Sequence, residues 1–241
     1  MTSANNNVEK YYDNVSRKYD DLYLDAVSRA EDNIIQKKLL KITKPGDNIL
    51  DLGCGTGLGY SLLNGIDCNY IGIDISKNMI SIAREKFPEV TFHHADIVDL
   101  SNFSSGSIDV IISLNGAVSH VEDYKKTINE CHRVLKRNGK LFIMLYNKKY
   151  FLKRQKNSEK IYSIRNFNKE ESTFAKFWTE DDVQNEFSSY SKVNINGFNF
   201  IVDKLKGKLN YHIASALLNI EYLLPCYFNR FCHSLIVEAS K

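Results

Sequence analysis

Asp51, Asp74, Asp96 and His120 are the side chains whose types and positions could do chemistry, and each stands at or just beyond the end of an apolar run. Asp51 leads into a stretch with glycine at 53, 55, 57 and 59. Glycine is needed where the backbone takes positive φ or passes within contact distance of a ligand. A glycine-rich turn between a strand and a helix aims backbone N–H groups and the helix N-terminus at that ligand. The dinucleotide fingerprint G-x-G-x-x-G, counted from Gly53, needs its third glycine at 58, where this chain has Leu58. A carboxylate two residues before the first glycine sits poorly beside a pyrophosphate and suits an ammonium near a sulfonium. Asp74 is placed to accept from both hydroxyls of a ribose, and Asp96 from an adenine amino group. One ligand made of adenosine and a cationic amino acid satisfies all three acids.

His120, in Ser119-His120-Val121-Glu122, can serve in its neutral form as a base for a hydroxyl or an amine. The alternative is a histidine with a structural hydrogen bond at a helix N-terminus. His93 and His94 fit packing around a base better than catalysis. No acid cluster of the kind that holds magnesium follows the fourth apolar run, and no metal is expected. Ser113-Leu-Asn-Gly-Ala117, after the fourth apolar run, carries no Asn-Pro-Pro-Tyr type of motif.

The elements that must position these residues alternate regularly. Apolar residues at helical spacing predict two helices over 8–43, with Tyr11, Tyr12, Val15 and Tyr19 on the first. Ile49 to Leu52 predicts the first strand, after the turn residues 44–47. Tyr70 to Asp74, Val90 to His93, Asp109 to Leu114 and Lys140 to Tyr146 predict four more. Ser76 is a candidate cap for the helix that Pro88 stops. Tyr124, Ile128, Cys131 and Leu135 predict a helix from Glu122 to Arg137, with Glu122 and Asp123 as first-turn acids. Thr179 and Asp182 form a candidate capping box. Strands over Lys192 to Ile201 and Phe231 to Ala239 would flank an apolar helical insertion at about 205–229. The pattern is α/β, a doubly wound sheet of right-handed βαβ units. The chain is expected to be one domain over 1–241, with a helical lid at 1–45, a ligand-binding core at 46–147 and acceptor-side elements at 148–241.

Composition excludes several classes. Apolar residues make up 43% and charged residues 25%, ordinary for a globular chain, and the net charge of +3 is too small to imply a polyanion partner. Residues 146–165 carry seven Lys or Arg against one Glu, with aromatics interleaved, which reads as a solvated face or a nucleic-acid grip. Five cysteines without a paired framework, and no apolar leader, fit a reduced cytoplasm. The longest apolar stretch, Ile213 to Phe228, is broken by Asn219, Glu221 and Pro225 and is too short to span a bilayer, though it could lie on a membrane surface.

Ile49 to Gly59, Tyr70 to Ser76, Ala95-Asp96-Ile97 and Asp109 to Val121 together resemble the successive motifs of class I S-adenosylmethionine-dependent methyltransferases of the small-molecule type. The resemblance covers residues 8–146 and implies a Rossmann-like seven-stranded sheet, mostly parallel, with an antiparallel last strand. It implies that Asp51, Gly53, Cys54, Gly55 and Gly57 hold the methionine portion of the cofactor, and Asp74 and Ile75 the ribose. Met79 would face the adenine, Asp96 and Ile97 would meet its edge, and Leu114 and Asn115 would complete the pocket. Tyr19, and next Tyr11, are the lid tyrosines expected to reach the cofactor.

The acceptor is expected over the carboxyl ends of the strands, lined by Tyr146, Tyr150, Trp178 and Tyr211, and to be a small aromatic or apolar molecule methylated on O or N. The rivals are an RNA-directed methyltransferase using 146–165, a partner protein that binds S-adenosylmethionine without turnover, and an NAD-dependent oxidoreductase.

Overall fold

The computed structural model describes residues 3–151, 161–162, 173–200, 205, 208–222 and 226–241. Two helices, α1 (Ser3–Tyr19) and α2 (Ala26–Ile42), are joined by a 3-10 turn at Asp20–Tyr23. Asp25 caps α2 by accepting from the Val27 and Ser28 amides. Then follow β1 (Asn48–Leu52), α3 (Leu58–Leu62), β2 (Asn69–Asp74), α4 (Lys77–Lys86), β3 (Thr91–His94) and β4 (Ile108–Ser113). After a 3-10 turn at Ala117–His120 come α5 (Tyr124–Val134), β5 (Leu135–Tyr146) and α6 (Lys148–Phe151). The last third holds β6 (Ile161–Tyr162), β7 (Thr173–Phe174), α7 (Glu180–Glu186), β8 (Lys192–Phe198), α8 (Tyr211–Tyr222), a 3-10 turn at Cys226–Phe231 and β9 (Ser234–Ser240).

The main sheet has seven strands in the order β3-β2-β1-β4-β5-β9-β8. β3 through β5 pair in parallel, and β9 runs antiparallel to both β5 and β8. Successive side chains of a strand point to opposite faces. Ile49, Val110, Ile112, Phe142 and Met144 therefore pack under α2 and α8, while Leu50, Leu52, Ile111, Leu141, Ile143 and Leu145 pack against α5 and α7. β6 and β7 form a separate two-stranded ribbon.

Ser76 and the Thr179–Asp182 box cap α4 and α7 as their sequences require. The helix expected to run to Arg137 ends instead at Val134. Leu135 fits the helical period, but it pairs with Ile108 in the sheet, and a register shift then brings Lys140 opposite Val110. Asp123 is the N-cap of α5 rather than a first-turn acid, its carboxylate accepting from the Lys126 amide. Most of the basic run at 146–165, the Ile201 end of the expected strand, and Leu223 to Pro225 of the insertion lie outside the described residues. Among the described residues, no helix is long and apolar enough to cross a membrane.

Candidate active site

The carboxyl ends of β1, β2 and β4 open into a cavity of about 330 Å3 that α1 covers. Gly53 has φ +70°, and a Cβ there would lie 2.3 Å from the Cβ of Ala117, so the loop tolerates only glycine at that point. Gly59 is required for a different reason: a Cβ would strike Asp51 Oδ2 and the Tyr70 hydroxyl beneath it.

Asp51 is buried at the end of β1, and its Oδ2 accepts a short hydrogen bond from the Tyr70 hydroxyl. Its Oδ1 is buried and finds no hydrogen-bond partner among the described residues. Burial, offset in part by the Tyr70 hydrogen bond and reinforced by the nearby Asp74 charge, pushes the Asp51 carboxyl up to about 7. A buried carboxylate oxygen left without a donor is costly, and a cationic group in the cavity would satisfy it.

Asp74 accepts from the Gly55 amide at 2.9 Å through Oδ2 and from the Ser76 amide at 2.8 Å through Oδ1. Each oxygen keeps one lone pair, so Asp74 both fixes the glycine loop and retains acceptor capacity. Burial raises its carboxyl above the usual range against the pull of those two amides. Asp96 accepts from the Val98 amide at 3.0 Å and lines the far end of the cavity with Ile97.

α1 and the 3-10 turn that follows it are each tied down at one point. Asp13 Oδ1 accepts from Ser76 Oγ at 2.6 Å and from the Asn78 amide at 3.1 Å, and Asp20 accepts from Thr56 Oγ1 at 2.5 Å and from Lys86 Nζ at 2.9 Å. Val8, Tyr12 and Tyr19 on one side of α1 line the cavity.

His120 stands on the opposite wall, buried, at the end of the 3-10 turn. Its Nδ1 lies 2.7 Å from the Phe174 carbonyl of β7. A carbonyl only accepts, so Nδ1 carries the proton and Nε2 presents a lone pair. The Tyr12 hydroxyl is 2.9 Å from Nε2 and donates to it; the Tyr146 hydroxyl lies 3.3 Å from Nε2 and donates to the Asn115 carbonyl at 3.1 Å. Burial lowers the His120 imidazolium to about 4, with the Phe174 hydrogen bond opposing that shift, so the ring is neutral near pH 7. The ring is held from behind, because the Lys176 amide donates to the Ser119 carbonyl and Ser119 Oγ accepts from the Tyr146 amide.

Of the residues singled out in the sequence, the cavity gathers Tyr19, Asp51, Gly53, Cys54, Gly55, Asp74, Ile75, Met79, Asp96, Ile97, Leu114, Asn115 and His120 on its walls. Gly57 is not on the wall; it is the left-handed N-cap of α3, packed against Phe87. Tyr11 points away, buried with Val15 against Met79. The four expected acceptor residues do not form one wall. Tyr146 touches His120 from behind; Tyr150 is buried beside Phe151 and His233. Trp178 is fully buried between Tyr124 and Phe187 on one face of the sheet, and Tyr211 accepts from Asn33 on the other. Tyr12, Asp20, Thr56 and Lys86 are functional candidates missed in the sequence. The spacing Val8, Tyr12, Tyr19 is the signal that could have found Tyr12, because residues four and seven apart share a helix face.

A doubly wound sheet with one antiparallel strand, a glycine loop after β1 and acids closing β1 and β2 defines the fold of the class I S-adenosylmethionine-dependent methyltransferases. Residues 50–143 match the family model described as a methyltransferase domain. An uncharacterized protein of Methanocaldococcus jannaschii is 37% identical over 152 residues, 61% of this chain and 55% of the relative. A demethylmenaquinone methyltransferase of Staphylococcus aureus is 31% identical over 140 residues, 55% of this chain and 57% of the relative. The chain thus spans little more than half the length of these two relatives. Among solved structures, a methyltransferase of Thermotoga maritima, titled a possible histamine N-methyltransferase, superposes with a TM-score of 0.64 at 18% identity, covering 95% of this chain and 98% of the other. At that identity the likeness is one of fold.

Proposed function

We propose that this chain is a methyltransferase that moves the methyl group of S-adenosylmethionine to an oxygen or nitrogen of a small, apolar or aromatic acceptor in the cytoplasm. The stretches 1–45, 46–147 and 148–241 would then serve one active site as lid, cofactor core and acceptor-side support. The observation that carries the reading is the hydrogen-bonded pair Tyr12 and His120 on the cavity wall.

The residues present fit the cofactor. The unpartnered Asp51 Oδ1 offers its lone pairs to an ammonium, the glycine loop allows close backbone approach, and Asp74 keeps acceptor capacity for hydroxyls. Met79 and Ile97 give apolar walls and Asp96 a polar edge for a purine. When bound, S-adenosylmethionine supplies a methyl carbon already activated by its sulfonium, so the protein mainly has to orient the acceptor and take its proton.

As the acceptor lone pair commits to a new bond, the proton on that atom becomes strongly acidic. A base as weak as His120 then suffices. The Tyr12 hydroxyl takes the acceptor proton while passing its own to His120 Nε2, and the phenol is restored without leaving a charge on the lid helix. Tyr12, Tyr19, Tyr23 and Leu24 form an aromatic and apolar wall at this end of the cavity, which favours an acceptor with an apolar body. The name of the Staphylococcus aureus relative, a demethylmenaquinone methyltransferase, is in keeping with such an acceptor.

The test is methyl transfer from labelled S-adenosylmethionine to a panel of phenols, quinols and amines, with His120→Ala alongside. Transfer that needs His120 supports the reading. Tight cofactor binding with no transfer across the panel would instead support a binding partner without turnover.

A further inference from the structure

We propose that the outer face of α2 and α8 docks this protein onto an anionic phospholipid bilayer. The exposed large apolar side chains among the described residues are Leu24, Leu40, Ile213 and Ile220, with 68%, 42%, 50% and 59% of their surface open. Leu40 lies on α2 and the two isoleucines on α8, while Leu24 stands two residues before α2 begins. These helices pack side by side, joined by the hydrogen bond from Asn33 to the Tyr211 hydroxyl. Ile213 and Ile220 are two helical turns apart, so they share a face, and Ala216 is exposed between them. Ala214, Leu218 and Glu221 occupy the opposite, buried side of α8. The apolar stripe is therefore surplus to what α8 needs to pack on the sheet.

The exposed charged side chains on α2 and α8 themselves have one sign. The exposed residues of α2 are Arg29, Lys37, Leu40 and Lys41, and those described on α8 are His212, Ile213, Ala216, Asn219 and Ile220. Lys44 and Lys208 are exposed where α2 ends and where α8 begins. The acids of these helices are turned inward. Glu31 accepts from Asn199, Glu221 is buried and accepts from the Phe200 amide at 2.8 Å, and Asp32 is only partly accessible. An apolar centre rimmed by lysines suits a surface of hydrocarbon beneath anionic headgroups, with the lysine stems lying along the apolar side chains and their ammonium groups on the phosphates. A second copy of this chain is a poorer occupant, because a symmetric contact through this face would set the same cations against one another.

The experiment is co-sedimentation of the full chain with vesicles of phosphatidylcholine alone and of phosphatidylcholine mixed with phosphatidylglycerol. The proposal expects binding to the mixed vesicles at low salt. That binding should be lost in about 1 M salt, where the Debye length is about 3 Å. The double variant Ile213→Glu, Ile220→Glu should lower vesicle affinity by more than about tenfold. Lys37→Glu with Lys41→Glu should lower it by about twentyfold or more, at about fivefold for each lysine lost. Unchanged melting temperatures for both variants, and an unchanged thermal shift with S-adenosylhomocysteine, would show that the fold and the cavity persist. If a variant fails to fold, the salt dependence and the comparison of vesicle compositions still decide. No binding to the anionic vesicles, or binding indifferent to all four substitutions, overturns the proposal. So does a dimer in solution that Ile220→Glu converts to monomer, which would assign the face to a second copy.

Discussion

The two ends of the cavity are built by different means. At the cofactor end, Asp51, the glycine loop, Asp74 and Asp96 each stand where a strand of the parallel sheet or the loop after it ends, and local backbone geometry suffices to place them. At the proposed acceptor end, Tyr12 comes from α1, His120 from the turn after β4, Tyr146 from β5, and the carbonyl that fixes the His120 tautomer from β7. One end is a local construction repeated along a sheet; the other is a convergence of four elements far apart in the chain. The first end should therefore respond to substitution as a binding site with little dependence on the last third, and the second should fail when any one of its contributors is disturbed.

The largest expected effect separates the two ends. With any acceptor that the protein methylates, His120→Ala and Tyr12→Phe should each lower kcat by about 10²–10⁴-fold, from loss of general base catalysis. Both should leave the affinity for S-adenosylhomocysteine, measured by titration calorimetry, within about threefold. An equal loss of cofactor affinity would mean that the ends are not separable.

Next comes the converse substitution. Asp51→Asn removes the charge facing the cavity, and S-adenosylhomocysteine affinity should fall about 10–100-fold, since a charge-assisted hydrogen bond contributes about 1.5–3 kcal/mol. The ligand-free protein should not be destabilised at pH 8, because it no longer buries an ionised carboxylate. Differential scanning calorimetry at that pH checks this.

The same group sets a pH dependence. The Asp51 carboxyl is raised from 3.8 to about 7 in the folded protein, so its contribution to stability is fully present below 3.8 and is lost as pH rises through 7. A bound ammonium offsets that loss. The rise in melting temperature given by saturating S-adenosylhomocysteine should therefore be larger at pH 8 than at pH 5.5, and Asp51→Asn should flatten the difference.

The smallest effect concerns a residue outside both ends. Trp178→Phe should cost about 1–3 kcal/mol of stability, from a core cavity, by denaturant titration. The KM for the acceptor should not change, because the ring packs between Tyr124 and Phe187 rather than on the cavity wall.

The same contrast explains what could be read from the sequence. Asp51 and the glycines lie within nine residues, and the acids at 74 and 96 close or follow apolar runs, so periodicity and spacing alone place them on adjacent strands. Trp178 and Tyr211 had no such guide. Their types suggested a greasy acceptor wall, but backbone hydrogen bonds to Tyr146 and Lys148 hold Trp178 beside the end of β5, while Asn33 of α2 holds Tyr211 on the other face, and no local pattern encodes those long-range contacts. Leu135 shows the same effect at the scale of one residue, drawn from a helical period into β5 by pairing with Ile108. Tyr12 was the exception, legible in principle from its helix face with Val8 and Tyr19.

The proposed acceptor end is organised around a neutral His120 whose Nε2 lone pair meets Tyr12. Long-range nitrogen–proton NMR of the protein labelled at histidine tests it without knowledge of the acceptor, with His120→Gln to assign the signal. The prediction is a ring protonated on Nδ1 alone that does not titrate between pH 5 and 8, in line with its lowering to about 4. A proton on Nε2, or an imidazolium forming near the ordinary histidine midpoint, would contradict it.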